Sequence, residues 1–295
     1  MKSIQRTFVP GSKWIYLKLY VGAKTSDKIL SQNISTIIKK LNKRSLIEKW
    51  FFIRYSDPDF HIRIRLLVTD EWSIGKIIQY FHENLQYLVK HEIVWKIQLD
   101  TYKRELERYG ITLIEEAESF FYRDSECAIT LIQKLDKLNN ENYRWMISLA
   151  MIDQFLTDFA FDLKAKQRLM DIMSNSFKNE FGFDEYNSKQ LNSKFRDNKK
   201  NIVDIIEKTI KNDGFKKLYD PINKRSRNLK PIINEIKKGC NKHKIPIDAL
   251  LVSYIHMMLN RLFRTKNRIH ELVIYDFLNR YYNSKIAQEK YKGWN

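Results

Sequence analysis

Residues 50–68 read WFFIRY, then SDPD, then FHIRIRLLV, so aromatic and β-branched residues lie on both sides of a Ser-Asp-Pro-Asp turn sequence. This pattern predicts two strands joined by a tight connection. Because side chains alternate between the faces of a strand, His61, Arg63 and Arg65 point away from the apolar residues between them. Two guanidiniums about 7 Å apart on one strand make a rigid site for carboxylate or phosphate. The alternative is an exposed strand whose outer face is basic.

The sequence around this hairpin predicts an α+β layer. Residues 13–21 and 91–99 alternate as strands do, whereas 27–41 and 73–89 carry apolar residues at helical spacing. We therefore predict a mostly antiparallel sheet with helices on one face, followed by a mainly α-helical C-terminal region.

From residue 113 onward the pattern is almost wholly helical, because apolar residues recur at intervals of three and four. The predicted helices span residues 125–138, 143–161, 164–177, 202–210, 231–242, 247–263 and 269–282. A boundary near residue 112 divides the chain into an α+β region, 1–112, with the strand of Arg63 and Arg65, and a helical region, 113–295, with His256. We expect the two regions to form one continuous catalytic unit.

The composition narrows the classes of protein to consider. With 295 residues, of which 43% are hydrophobic, the chain can bury a sizeable core. A net charge of +18 suggests an acidic partner such as nucleic acid, although lysine-rich solvated helix faces give the same balance. The stretch 186–244 is the most basic and the least apolar, which predicts a partly mobile surface excursion. Cys127 and Cys240 lie far apart without a zinc or disulfide pattern, as in a reducing cytosol.

The sequence lacks several common signatures. It contains no secretory signal and no run of eighteen apolar residues, so we expect a cytoplasmic protein without membrane insertion. Gly-rich phosphate loops, HExxH, G-x-S-x-G and clusters of spaced carboxylates are also missing. The residues that the commonest kinases, hydrolases and metal enzymes require are therefore missing.

Two further segments carry residue types suited to chemistry. Residues 100–110, DTYKRELERYG, combine charges of both signs with two tyrosines, which is equally typical of an exposed helical turn with weak ion pairs. His256 lies inside an apolar helix, where a lone histidine is more often a hydrogen-bonded core residue than a catalyst. Asn260, four residues later, is predicted to orient the His256 ring.

Together these segments resemble the glutamate-elimination domain of class I lantibiotic dehydratases, also called the thiopeptide-type bacteriocin biosynthesis domain. The resemblance covers nearly the whole chain and depends on several motifs in a fixed order. They are PGSKWIYLKLY (10–20), FFIRYSDP (51–58), HIRIR (61–65), YKRELERYG (102–110), Asp124-Ser125, His256-Met257 with Asn260-Arg261, and the helix of Glu271. One departure is Tyr109-Gly110-Ile111, where the family usually has Tyr-Gly-Gly.

The resemblance implies a lyase of ribosomal peptide natural-product biosynthesis. In that family the domain removes glutamate from a glutamylated serine or threonine, which leaves dehydroalanine or dehydrobutyrine in a precursor peptide. The implied catalytic residues are His256, Arg63, Arg65, Arg108 and Glu105. The implied substrate-binding residues are Arg54, Tyr102, Arg104, Asn260 and Arg261. No metal or organic cofactor is implied.

This chemistry assigns a role to each implied catalytic residue. A β-elimination needs a base for the α-proton and positive groups for the charge that develops on the leaving carboxylate. His256 is therefore expected to transfer the proton, while Arg63, Arg65 and Arg108 hold the glutamyl carboxylate. Glu105 is expected either to orient an arginine or to shuttle a proton.

The resemblance also implies partners. We expect a stand-alone elimination enzyme that acts on a glutamylated precursor peptide, together with a separate protein that uses glutamyl-tRNA to load that peptide. A cyclase and other biosynthetic enzymes are further candidate partners, while direct tRNA binding and a homodimer are left open.

Two alternative functions compete with glutamate elimination. A relative in the same superfamily forms the nitrogen heterocycle of thiopeptides by a formal [4+2] cycloaddition and has no need to bind glutamate. The presence together of Arg63, Arg65, Arg108 and His256 favours elimination over this reaction. A non-catalytic RNA- or peptide-binding subunit of the dehydratase complex would account for the positive charge, but not for the ordered motifs.

Overall fold

The structure is a computed structural model that describes residues 4–292. Its strands are β1 (Thr7–Phe8), β2 (Trp14–Val21), β3 (Ile47–Ser56), β4 (Phe60–Val68), β5 (Val94–Leu99) and β6 (Tyr102–Lys103). Four of them form one antiparallel sheet in the order β3-β4-β2-β5, and β1 pairs with β6 in a separate ribbon. The hairpin predicted at residues 50–68 is confirmed, because β3 and β4 pair antiparallel around the turn that contains Pro58.

Helices make up most of the described chain. The α-helices are α1 (Ala23–Lys28), α2 (Ser35–Lys43), α3 (Ile74–Lys90), α4 (Leu106–Tyr109), α5 (Ile114–Leu138), α6 (Asn142–Asp158), α7 (Leu163–Glu180), α8 (Glu185–Ile206), α9 (Asp213–Lys216), α10 (Tyr219–His243), α11 (Ile247–Leu262) and α12 (Asn267–Lys292). A π-helical segment, Ile29–Ile34, joins α1 to α2, and a 3-10 turn, Glu71–Ser73, precedes α3. An antiparallel sheet followed by helices confirms the α+β class.

The two faces of the sheet pack against different cores. One face carries Leu17, Ile62 and Ile64, which pack with the apolar residues of α2, α3 and the π-helical segment. The opposite face joins the core of the helical region at one end only, through Trp14 and Phe51. The sheet therefore contributes residues to the core of the helical region as well as to its own, while the division near residue 112 stays a prediction.

Residues 186–244 do not form the surface excursion that their composition predicts. They fold into α8, α9 and α10, and α10 buries Leu229, Ile233 and Ile236 in the helical core at no more than 2% exposure. Their spacing of four and three residues gives α10 one apolar face, although the stretch as a whole is polar. The average composition concealed this periodicity.

The helices close the β3 edge of the sheet with side chains instead of another strand. On Phe52, the backbone N–H donates to Ser125 Oγ at 3.2 Å, and the carbonyl accepts from Arg261 Nε at 2.9 Å. On Arg54, the backbone N–H donates to Asn260 Oδ1 and the carbonyl accepts from Asn260 Nδ2, each at 2.9 Å. At Phe52 and Arg54 the edge backbone is thus satisfied by α5 and α11, which fixes the position of α11 against the sheet.

Candidate active site

The face of β4 that points away from α2 and α3 carries three of the candidate residues. Arg63 Nε donates to His61 Nε2 at 3.0 Å, and the Arg63 guanidinium lies 3.4 Å from the centre of the Tyr55 ring. Because Nε2 accepts, the ring proton of His61 lies on Nδ1, which donates to the Asp59 carbonyl at 2.8 Å. Burial lowers the pKa of His61. The neutral ring therefore serves as the acceptor that orients Arg63.

Arg65 lies in an aromatic enclosure at the covered end of the same face. The centres of the Tyr16, Tyr102 and Phe51 rings lie 4.6, 4.9 and 5.3 Å from its guanidinium carbon. The side chain is buried, and its Nε has no hydrogen-bond partner among residues 4–292. Over the same range, neither Arg63 nor Arg65 forms an ion pair with a carboxylate, whereas several other buried arginines do.

Glu118 of α5 holds Tyr102 and Arg104 in place. Arg104 Nε and Nη2 each donate to a different oxygen of Glu118 at 2.7 Å, and the Tyr102 hydroxyl donates to the same carboxylate at 2.8 Å. Both Arg104 and Glu118 are buried, so the two charges balance each other. Glu118 thereby fixes Tyr102 as one wall of the Arg65 enclosure.

Arg54, Asn260 and Arg261 lie where the β3 edge meets α11. Arg54 Nη2 donates to Asp27 Oδ1 at 2.6 Å, and Arg54 Nε donates to the Arg261 carbonyl at 3.1 Å. The expectation that Asn260 orients His256 is wrong, because both ends of the Asn260 amide bond the backbone of Arg54. These three side chains therefore join the sheet to the helices.

His256 has a different orienting partner, Glu271 of α12. His256 Nδ1 lies 2.8 Å from Glu271 Oε1, and Arg268 Nη1 lies 3.4 Å from the other oxygen of Glu271. The Glu271 side chain is fully buried, while that of His256 is 33% exposed. In the neutral ring the carboxylate keeps the proton on Nδ1, so the lone pair lies on Nε2. The pair can therefore present Nε2 of His256 as a base.

Glu105 and Arg108 lie at α4, on the surface. Arg108 Nη1 lies 3.4 Å from Glu105 Oε2, and both side chains are about half exposed. The adjacent Tyr109 is buried and stacks on Tyr254 of α11 with ring centres 5.8 Å apart. Burial raises the pKa of Tyr109 to about 12. Because Tyr254 precedes His256 by two residues, this stack joins the charged segment to the helix of His256.

One aromatic cluster connects most of the predicted site. Phe51 and Tyr102 enclose Arg65, Phe51 packs on Phe121 at 5.4 Å between ring centres, and Phe121 packs on Tyr254 at 6.0 Å. Among residues 4–292, however, no hydrogen bond or ion pair joins His256 to either strand arginine. The structure therefore brings Arg63 and Arg65 together on one face and links Arg65 to α11 through aromatic packing.

The sequence analysis assigned Asn260 to His256 and missed Glu271, although the helix of Glu271 belongs to the quoted motifs. Glu271 lies in the run HELVIY, and Leu272, Ile274 and Tyr275 beside it are buried. A carboxylate within such a run is unusual unless it is paired. This carboxylate within an apolar run was the signal available in the sequence. Helical spacing alone, however, could not show that its partner His256 lies on another helix.

The described residues 4–292 contain no cluster of three or more His, Cys, Asp or Glu side chains arranged to hold a metal ion. Over the same range, no helix is both long enough and apolar enough to cross a membrane.

Residues 14–282 match the family described as "Lantibiotic biosynthesis dehydratase C-term". The chain belongs to this family. Within it, the subtilin biosynthesis protein SpaB of Bacillus subtilis is 24% identical over 276 residues, which are 91% of this chain and 25% of SpaB. The chain thus spans about a quarter of the length of this relative.

Solved structures share the fold of this lantibiotic dehydratase family member. The tRNA-dependent lantibiotic dehydratase MibB from Microbispora sp. 107891 matches 96% of this chain with a TM-score of 0.72 and 18% identity, and the match covers 29% of MibB. The pyridine synthase TbtD from thiomuracin biosynthesis matches 92% of this chain with a TM-score of 0.67 and 11% identity, over 99% of TbtD. At these identities the likeness concerns the fold alone.

Proposed function

We propose that this protein is a lyase that eliminates glutamate from glutamylated serine or threonine in a precursor peptide. The observation that carries the proposal is the pair Arg63 and Arg65, which share one strand face without a carboxylate partner among residues 4–292. A glutamyl ester has one free carboxylate, and a second forms as the ester bond breaks. Two unneutralised guanidiniums suit these two anions, since guanidinium binds carboxylate in two places.

In this proposal His256 removes the proton. Nε2 of His256 takes the α-proton of the esterified residue, the C–H electrons form the Cα=Cβ bond, and the Cβ–O bond breaks. Glutamate leaves as a carboxylate, and its developing charge is stabilised by Arg65 and Arg63. Glu271 holds the ring in the tautomer that exposes Nε2 and stabilises the imidazolium that results.

The other predicted residues receive supporting roles. Arg108 and Glu105, both exposed on one side of the aromatic cluster, are proposed to contact the peptide or its glutamyl group. Arg104 and Tyr102 shape the enclosure of Arg65. The remaining three residues have a structural role: they position α11 against the sheet. They are Arg54, Asn260 and Arg261.

The proposed substrate requires an earlier step. A peptide ester of glutamate must be made by an acyl transfer from an activated glutamyl donor, and we propose that a separate glutamyl-tRNA-dependent protein supplies it. The chain matches only a quarter of SpaB, so the activity of the whole relative is not transferred to this chain.

Heterocycle formation is the second candidate function. The observation that favours it is the match to the pyridine synthase TbtD over nearly the whole of both chains. A cycloaddition between two dehydroamino acids presents no glutamyl carboxylate, so it leaves the two unpaired strand arginines without a role. We therefore rank it below glutamate elimination.

The test uses the purified protein and a synthetic peptide with one glutamylated serine, followed by mass spectrometry. Elimination releases glutamic acid and leaves dehydroalanine. We expect His256→Ala to slow this reaction by about 10²–10⁴-fold. His243→Ala is the matched control, because His243 is exposed at the end of α10 and should leave the rate unchanged.

Two results would contradict this proposal. Survival of the ester, or its hydrolysis back to serine, would argue against elimination by this protein alone. Normal turnover by His256→Ala would remove its assignment as the base. A peptide with two dehydroalanines is the substrate that tests the cycloaddition.

A further inference from the structure

The second edge of the sheet, at β5, is open where the β3 edge is closed. β5 pairs with β2 on one side, and no other strand of residues 4–292 pairs with its opposite side. Three of its four apolar side chains are exposed as well: Trp95 by 49%, Ile97 by 38% and Leu99 by 42%. Natural proteins usually protect edge strands with charge, proline or a covering element, so an apolar open edge indicates a binding surface.

The pairing register identifies the backbone groups that point outward. The Asp100 N–H donates to the Tyr16 carbonyl, so Tyr16 and Asp100 form a hydrogen-bonded pair of the antiparallel ladder. Such pairs alternate along the ladder with pairs whose N–H and C=O groups point away. Lys18 with Gln98 is therefore hydrogen-bonded, and Ile97 and Leu99 direct their N–H and C=O groups to the open side.

We propose that this edge binds an extended segment of the precursor peptide as an additional β-strand. The inference depends on the proposed function for the identity of the peptide. Backbone groups spaced along a strand are satisfied by another extended backbone, which is how peptides add to sheet edges elsewhere. A helix or a compact surface cannot offer donors and acceptors at this spacing.

The side chains of β5 define the sequence that fits. On one face, Ile97 and Leu99 lie opposite Leu19 and Leu17 of β2, and an added strand would place alternate residues against them. On the other face, the exposed Lys96 favours acidic or polar residues. The proposed segment therefore alternates apolar with acidic or polar residues.

The position of the edge relative to the candidate site sets its role. Neighbouring strands are about 4.8 Å apart, so an added strand would lie roughly 14 Å from β4, across β5 and β2. Arg63 on β4 lies opposite Lys18 on β2, which lies opposite Gln98 on β5. The bound segment therefore flanks the reacting serine in the peptide and does not include it. Its binding should increase affinity without entering the chemical step.

Kinetics with two variants test this role. Ile97→Pro removes one outward N–H, and proline is tolerated on an edge strand where the N–H faces solvent. Ile97→Thr is the matched control, because it keeps the N–H and a β-branched side chain. For a long glutamylated peptide we expect KM to be at least about fivefold higher for Ile97→Pro than for Ile97→Thr, with the same kcat in both variants. A short peptide that contains only the reacting residue and its neighbours should show no difference.

A second measurement uses the unaltered protein and does not depend on turnover. Hydrogen exchange in β5 should slow when the long non-glutamylated peptide is added, and a peptide N-methylated at alternate residues should fail to slow it. Protection of this kind, in a protein that leaves the glutamylated peptide unchanged, would support the edge site while contradicting the proposed function.

Three outcomes would overturn the edge proposal. They are an unchanged exchange rate in β5 at saturating peptide, equal KM values for the proline and threonine variants, and protection of β5 by self-association in the absence of peptide. Sedimentation of the free protein distinguishes the last outcome from peptide binding.

Discussion

Two sets of arginines in this molecule have opposite surroundings. At the junction of the β3 edge and the helices, Arg225 and Arg261 share the carboxylate of Asp124 at 2.8 and 3.0 Å, and Arg54 pairs with Asp27. On the face of β4, Arg63 and Arg65 contact aromatic rings and a neutral histidine. The first set is neutralised by the fold itself. The second keeps its charge available, so identical side chains serve architecture in one region and, in our proposal, chemistry in the other.

The largest effect is expected when the first set of arginines, the architectural set, loses a carboxylate partner. Asp124→Asn removes the negative charge that two fully buried guanidiniums share. We expect a loss of about 3–5 kcal/mol in the free energy of unfolding, because a buried charge without a counter-charge is strongly destabilising. Urea unfolding measures it, and Glu235→Gln, which affects an exposed ion pair of α10, is the control that should change stability by less than about 1 kcal/mol. A loss of that small size in Asp124→Asn would show that the junction is not neutralised as described.

Removal of an arginine is expected to change stability in opposite directions in the two kinds of surroundings. Arg65→Met removes a buried charge that has no carboxylate partner among residues 4–292, so stability should stay constant or rise, while elimination slows by about 10²–10³-fold. Arg104→Met is the matched variant, since it leaves Glu118 buried without its cation and should lower stability. Thermal unfolding and the peptide assay measure both quantities. A marked loss of stability in Arg65→Met would place Arg65 in the architectural set.

The smallest effect concerns pH and the histidine that contacts Arg63. Burial lowers the pKa of His61, and the nearby charge of Arg63 lowers it further. The unfolded ring therefore binds a proton more readily, and stability should fall as pH drops below about 6.5. Unfolding midpoints in urea at pH 7 and pH 5 measure this loss.

His61→Phe, which keeps an aromatic ring between Tyr20 and Tyr55, should reduce that pH dependence. His270, whose pKa is also lowered by burial, should retain part of it. An unaltered dependence in the His61 variant would mean that this ring does not titrate as described.

The sequence could predict those features that local periodicity determines. Alternation along residues 60–68 was sufficient to place His61, Arg63 and Arg65 on one face, and the register of β4 agrees. The surroundings of each arginine could not be predicted, because its partners lie far away along the chain: Glu118 for Arg104, and Asp124 for Arg261. The same limit applies to His256, which was paired with Asn260 by helical spacing, whereas its partner belongs to α12.

Long-range partners also explain the error at residues 186–244. Mean polarity described the exposed surface of α10 correctly but gave no weight to the few apolar residues on its inner face. Those residues are buried because α5 and α6 supply a complementary surface, which no local pattern records.

The closure of the β3 edge by Ser125, Asn260 and Arg261 has a consequence for dissecting the molecule. A fragment that ends near residue 112 would contain every strand found within residues 4–292 and would look complete as an architecture. It would nevertheless display two unsatisfied edges on one four-stranded sheet, which is the geometry of a polymerising unit. The helices thus protect one edge of the sheet from pairing with other copies. Expression of the strands alone should therefore yield fibrous or insoluble material.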